Sequence, residues 1–272
     1  MNSLKISFAV IASSALVLCA IPAMADQMTV LGTADSFAVL GASTVTNTGA
    51  TVLTGNLGLS PGSSITGFPP GTYTGTEYIG SGVAATAQAD ALTGYNSLKG
   101  LAPTQTLTGT DLGGQTLTPG VYYFASSAQL TGPLTLNFEG LNDANIVFQI
   151  GSTLTTASAS SILIENQGTA DNVYFQVGSS ATLGTNTAFQ GDIIANTSIT
   201  LNTGASIACG SALALNGAVT LDTNTVTNCS ATASDIGGGN DVPPAVPEPA
   251  SLSLVATGMV AAVGAFRRRY LA

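Results

Sequence analysis

Residues 200–229 read TLNTGASIACGSALALNGAVTLDTNTVTNC, a stretch that nearly repeats itself. TLNTGAS is answered by TLDTNTV, and Leu201 and Leu221 stand 20 residues apart, as do Cys209 and Cys229. TLGTNTA at 182–188 and STLTTAS at 152–158 are earlier copies. Written from their first strands, successive rungs begin at Val121, Ile146, Val173, Asp192 and Ser211. Each holds a short apolar strand, a turn, an x-T-L-x-T strand, a second turn and a third strand. Short strands recurring about every 20 residues are the pattern of a parallel β-solenoid. No coil can bury its inner residues alone, so stacking must supply the core.

Alternation along a strand assigns the faces. In the second strand Leu130, Leu154, Leu183, Leu201 and Leu221 are expected inward, as a ladder down the axis. Their neighbours then face out: Gln129 and Thr131, Thr153 and Thr155, Thr182 and Gly184, Thr200 and Asn202, Thr220 and Asp222. With coils about 4.8 Å apart, this face is a flat lattice of small, mostly hydroxylated side chains. In the first strand Phe148 and Phe175 point in, while Val147, Tyr174, Gln176, Ile194 and Ala212 face out. An apolar outer row needs a cover. The segment 82–101 supplies a helix with Ala84, Ala87, Ala91, Leu92, Tyr95 and Leu98 on one stripe. Gly100 and Pro103 stop it. It is expected along the first-strand face, the alternative being another face of the solenoid.

Charge narrows the possible functions. The chain of 272 residues has a net charge of −9, no His and no Trp. Between Asp26 and Val246 the only basic side chain is Lys99, against thirteen acidic ones. Nucleic-acid binding needs several cations, so it is excluded. Histidine-dependent catalysis and a His–Cys zinc site are excluded as well. A calcium module would need clustered acids such as D-x-D-x-D, and none occurs. A glycan-cleaving β-helix would need grouped carboxylates with a basic partner. Glu139, Asp143, Glu165 and Asp171 read instead as solvated turn residues, and Lys99 is a poor partner. The expectation is a non-enzyme without metal or cofactor. A surface solenoid that binds or adheres through a repeating face fits this composition.

Both ends read as addresses. Residues 1–25 combine Lys5, an apolar run from Ile6 to Ile21 and Ala23-Met24-Ala25, which is a secretory leader. Cys19 would suit a lipoprotein, but Leu18 precedes it where a small residue is wanted. At the other end Val-Pro-Glu-Pro precedes an uncharged stretch, Ala250 to Phe266, and then Arg267, Arg268 and Arg269. That stretch is just long enough to cross a thin bilayer, and it is the one expected membrane contact. Residues 247–272 closely resemble the PEP-CTERM sorting signal of Gram-negative bacteria. The resemblance implies export, transient inner-membrane anchoring, and removal of the tail by an exosortase; a permanent anchor is the alternative. Residues 230–246 are a Gly-, Pro- and Ser-rich linker. Cys209 and Cys229 hold the same place in consecutive coils, so their Cα atoms should lie about 5 Å apart. Export then favours a disulfide over two free thiols.

LGTADSFAVLGASTVTNTGATVLTGNLGLSPGSSITGFPPGTYTG at 31–75 looks like the opening of the bacterial and fungal ice-binding β-solenoid family. LTPGVYYF at 117–124 and NVYFQVGSSATLGTNTAFQGDIIANTSITL at 172–201 resemble its later coils. The resemblance covers most of the span 26–229. It implies a mostly β fold, a right-handed discontinuous parallel β-helix with N-terminal residues completing some coils and one helix alongside. It also implies a monomer that adsorbs to an ice crystal surface, often through a T-(A/G)-x-(T/N) pattern. Thr203-Gly204-Ala205-Ser206 comes nearest to that pattern, and the segments from Thr156, Thr185 and Thr223 follow it more loosely. The expected ice-binding residues are Thr131, Thr153, Thr155, Thr156, Thr182, Thr185, Thr200, Thr203, Thr220 and Thr223.

Overall fold

The computed structural model describes residues 30–230. The leader 1–25, almost all of the linker and the tail 247–272 therefore lie outside the described residues. Among the described residues no helix is long and apolar enough to cross a membrane. Three parallel sheets form the walls of a β-solenoid. The short strands exist because each coil turns twice, at Gly, Asn or Ser positions, before it returns to stack on itself.

The coils do not stack in chain order. From Gln105 the chain winds up to Thr227, coil upon coil. The N-terminal strands then extend that stack past its last coil: Val39 pairs with Ala212, Val45 with Val219 and Val52 with Thr225. The helix α1, Gly82–Lys99, runs back along the outside and returns the chain to the far end. At 1.5 Å per residue its 18 residues reach about 27 Å, or five to six coil spacings.

Inside, ring stacks onto ring. Phe148 lies 4.5 Å from Phe175 with planes 8° apart, Tyr122 stacks below and Phe189 tilts against Phe175. The core continues through Leu53, Leu57, Leu130, Leu134, Leu183, Leu201 and Leu221, all nearly inaccessible to water.

α1 covers the first sheet. Its buried stripe is Ala84, Ala87, Ala91, Gly94, Tyr95 and Leu98, packed on Val147, Tyr174, Ile194 and Leu213. Two expectations need correction. Leu92 is 47% exposed, and Gly94 takes the buried place because a Cβ there would stand 2.6 Å from the Val30 carbonyl. Ala212 faces the core and its neighbour Leu213 faces the helix, since Ile194 pairs with Leu213. Ser81 caps the first turn by accepting from the Ala84 N–H, at 3.3 Å. Gln149 Nε2 donates to the Leu98 and Leu101 carbonyls at the other end, at 2.7 and 2.9 Å, and fixes the helix to the sheet. Gln176, expected outward on the first strand, is only 3% exposed beneath α1.

Cys209 and Cys229 form a disulfide with Cα atoms 4.7 Å apart. It closes a loop across 20 residues, a stabilisation of about 3 kcal/mol on the chain-entropy account. It lies beside the seam where the two ends of the described chain meet, for Asn228 Nδ2 donates to the Asp35 and Phe37 carbonyls.

Candidate functional site

The second sheet contains the strands Ala128–Leu130, Leu154–Thr156, Ala181–Leu183, Ile199–Leu201, Val219–Asp222, Thr44–Thr48 and Ser64–Thr66, in that spatial order. Pairing places Gln129, Thr155, Thr182, Thr200, Thr220, Thr46 and Thr66 in one straight outward row. Six consecutive coils thus carry threonine at the same place. None of those six hydroxyls has a hydrogen-bond partner among the described residues. Some threonines elsewhere in the fold differ, although Thr135 and Thr225 on the third sheet also keep their hydroxyls unbonded among the described residues. Thr51 donates to Asn47 at 2.5 Å, and Thr203 and Thr223 both donate to the Asp222 carboxylate.

A second outward row runs beside the first. It holds Ser127, Thr153, Ser180, Ser198, Ala218, Thr44 and Ser64, set by the bonds that lead into each strand. Within a strand the two rows are about 6.6 Å apart, and coils repeat at about 4.8 Å. A third row, Thr131, Ala157, Gly184, Asn202, Asp222 and Thr48, is smaller and more varied. The edge beyond it is straight because Ala159, Asn186, Gly204, Thr223 and Gly49 all turn in the left-handed region, with φ between 50° and 80°. Their amides bond coil to coil, as in Gly204 N–H to the Asp222 carbonyl at 3.1 Å.

The expected residues separate on this geometry. Thr155, Thr182, Thr200 and Thr220 come together in the principal row, and Thr153 joins the second row. Thr131 is exposed in the third row, its amide donating to Asp111 Oδ1 at 2.9 Å. Thr185, Thr203 and Thr223 are exposed at the turn bordering the face. Thr156 is a correction: it points inward, 3% exposed, 2.8 Å from the Thr187 hydroxyl, and accepts from the Gly184 N–H. The cause is register. Leu154 pairs with Ala128 and Ala181, so Thr156 occupies the rung between Leu130 and Leu183 in the inner ladder.

Thr44, Thr46, Ser64 and Thr66 were not expected in the face. A signal for them exists, since VTNT at 45–48 aligns with VTLD at 219–222. The inner position is disguised, because Asn47 stands where the other coils have Leu221 and Leu201. Buried Asn47 is tolerated because its Nδ2 donates to the Gly49 and Gly67 carbonyls and its Oδ1 accepts from Thr51.

The other two walls do not offer a comparable surface. The first sheet is covered by α1. The third presents Val52, Thr225, Ser206, Ala188, Ser161 and Pro133 in one row and Gln190 beside Leu163 in the next. Side chains of such unequal length make it rough. Charge is sparse on the second sheet. Asp111 bridges to Gln129 at the end of the row, and its carboxyl sits below the usual range: burial alone would raise it, and bonds from Gly113 and Thr131 outweigh that. Among the described residues no group of three or more Cys, Asp or Glu could hold a metal.

The family described as Ice-binding-like matches residues 39–227 of the chain, and the PEP-CTERM protein-sorting motif matches residues 245–269. An ice-binding protein of Nostoc sp. (strain HG1) is 55% identical over 249 residues, covering 91% of this chain and 90% of that protein. The crystal structure of an ice binding protein from an Antarctic biological consortium superposes with a TM-score of 0.69 at 46% identity, covering 73% of this chain and 90% of that one. An ice-binding protein from the Antarctic ascomycete Antarctomyces psychrotrophicus gives a TM-score of 0.69 at 45% identity, covering 72% of this chain and 96% of that one.

Proposed function

Because this chain belongs to the ice-binding-like family, we propose that it adsorbs to ice through the outward rows of the second sheet and so restrains crystal growth and recrystallisation. One observation carries this reading: six register-locked threonines in a straight row, each with a hydroxyl unclaimed by the protein. Ice presents a repeating lattice of water positions, so its receptor must repeat and must be rigid. Coil stacking fixes one spacing and the strand pleat the other. Threonine is stiff at χ1, which holds methyl and hydroxyl in place with little entropy to lose on binding. The hydroxyls anchor ordered water while the methyls leave its neighbours free to bond one another. A charged side chain would impose its own hydration on that layer, and the first and second rows carry none.

Thr155, Thr182, Thr200, Thr220, Thr46 and Thr66 form the contact row in this account, with Thr153 in the second row and Thr131, Thr185, Thr203 and Thr223 at the margin. The chain acts as a monomer and without catalysis. The match to a sorting motif over residues 245–269 supports the assignment of the tail. Residues 1–25 are a leader, 26–229 the ice-binding unit, 230–246 a linker, and 247–272 a tail that holds the chain briefly at the inner membrane of a Gram-negative bacterium until an exosortase removes it.

Thr46→Tyr in the exported chain tests the extent of the face. Thr46 lies two coils beyond Thr200, on a strand from the other end of the sequence. Recrystallisation inhibition should fall severalfold with the melting curve unchanged. Unaltered inhibition would confine ice contact to the C-terminal coils.

A further inference from the structure

A groove of about 460 Å³ lies between the C-terminal half of α1 and the outer face of the first sheet. Small-molecule sites fall in the range of roughly 300–1,000 Å³. The groove arises where helix and sheet part company. Tyr123, Gln149 and Gln176 are register partners on consecutive strands. α1 buries the two glutamines but leaves Tyr123 36% exposed at one end of the groove, while Leu92, 47% exposed on the helix, lines its other end. Two large apolar groups of the lining therefore stay wet. Asn96 and Asn196 contribute amides to its lining.

Charge sets this groove apart from the rest of the surface. Residues 30–230 carry ten acidic side chains, yet none lines it. Lys99, the only basic residue in that span, does line it, and has no ion-pair partner among the described residues. We propose that this groove is a binding site for one carboxylate-bearing sugar unit of an acidic glycan. The flat apolar face of a pyranose rests on the Tyr123 ring. Asn96 offers both donor and acceptor to the pyranose hydroxyls. Lys99 donates a charge-assisted hydrogen bond to the carboxylate. A single cation suits a single carboxylate; a polyphosphate would need several. Because the groove is on the first sheet, a ligand held there leaves the second-sheet rows uncovered.

The test titrates the exported chain with oligogalacturonate and, in parallel, with uncharged dextran oligomers. Oligogalacturonate should bind, more weakly as salt rises, and dextran should not. Lys99→Gln and Tyr123→Ala should each weaken binding about tenfold or more, with ice retention and melting temperature unchanged. Lys99→Gln is the decisive variant, since an exposed helix-end residue has no packing to lose. No binding of oligogalacturonate overturns the proposal. So does equal binding of dextran, or an unaltered affinity in Lys99→Gln. Neither result bears on ice adsorption, which is read separately in the same variants.

Discussion

Thr200→Tyr should remove most of the ice-growth inhibition of this chain while leaving its fold intact. Thr200 sits mid-row, between Thr182 and Thr220, and its neighbours Ile199 and Leu201 point into the core. The tyrosine ring would stand several ångströms above the row and hold adjacent methyls off the ordered water layer. Tyrosine is a good strand residue, so stability should move by less than about 1 kcal/mol. Thr225→Tyr is the matched control. It is outward and exposed on the third sheet, between Ser206 and Val52. Growth inhibition measured beside circular dichroism decides the matter. Equal loss from both substitutions would show that the wrong wall has been assigned.

Stability should fall as pH rises from about 4 to about 8, and Asp192→Asn should abolish most of that slope. Asp192 pairs with Tyr174 and sits in a small cleft of about 150 Å³ beside the disulfide, its Oδ1 accepting from the Ser211 hydroxyl at 2.7 Å. Burial pushes its carboxyl up from 3.8 to about 7; the Ser211 bond opposes this and the nearby Asp35 charge adds to it. Asp35 is itself raised by burial, against a bond from Ser230. Tyr174 is raised by burial and then by both carboxylates, so it stays neutral. A carboxyl whose folded pKa exceeds its unfolded value stabilises most when protonated. That stability is full below about pH 4 and is lost as pH rises through about 7. Three pKa units would correspond to about 4 kcal/mol, and the cleft's contact with solvent reduces this to about 2–3 kcal/mol. Asparagine keeps an acceptor for Ser211 and removes the charge facing Asp35. Denaturation midpoints at pH 5 and pH 8 should therefore converge in Asp192→Asn. An unchanged slope would place the titration elsewhere.

What could be read from the sequence follows from which residues keep the repeat. Leu183, Leu201 and Leu221 recur with threonine just before them, and there the expected register and outward faces hold. Where a polar residue takes the inner place, the pattern misleads. Thr156 fills a leucine position and is stabilised by Thr187, so its coil was read two residues out of step. Asn47 fills the same position in an N-terminal coil, which hid Thr46 from a search for leucine ladders. Long-range stacking of residues 37–79 on the last coil leaves no local mark in either strand. The helix was legible from its alanine stripe, but Gly94 lies inside because of the Val30 carbonyl, a contact no periodicity reports. The groove beside Lys99 was equally invisible. It depends on how far α1 reaches across the first sheet.

The most direct measurement of the central claim is the partition of the exported chain at a slowly advancing ice front. The chain is dissolved, a single crystal is grown through part of the solution, and protein is assayed in the ice and in the remaining liquid. Adsorption through a rigid threonine lattice predicts that wild-type protein is carried into the ice, and that Thr200→Tyr is left largely in the liquid. Exclusion of the wild-type protein from the ice, to the same degree as a bystander protein, would contradict the account.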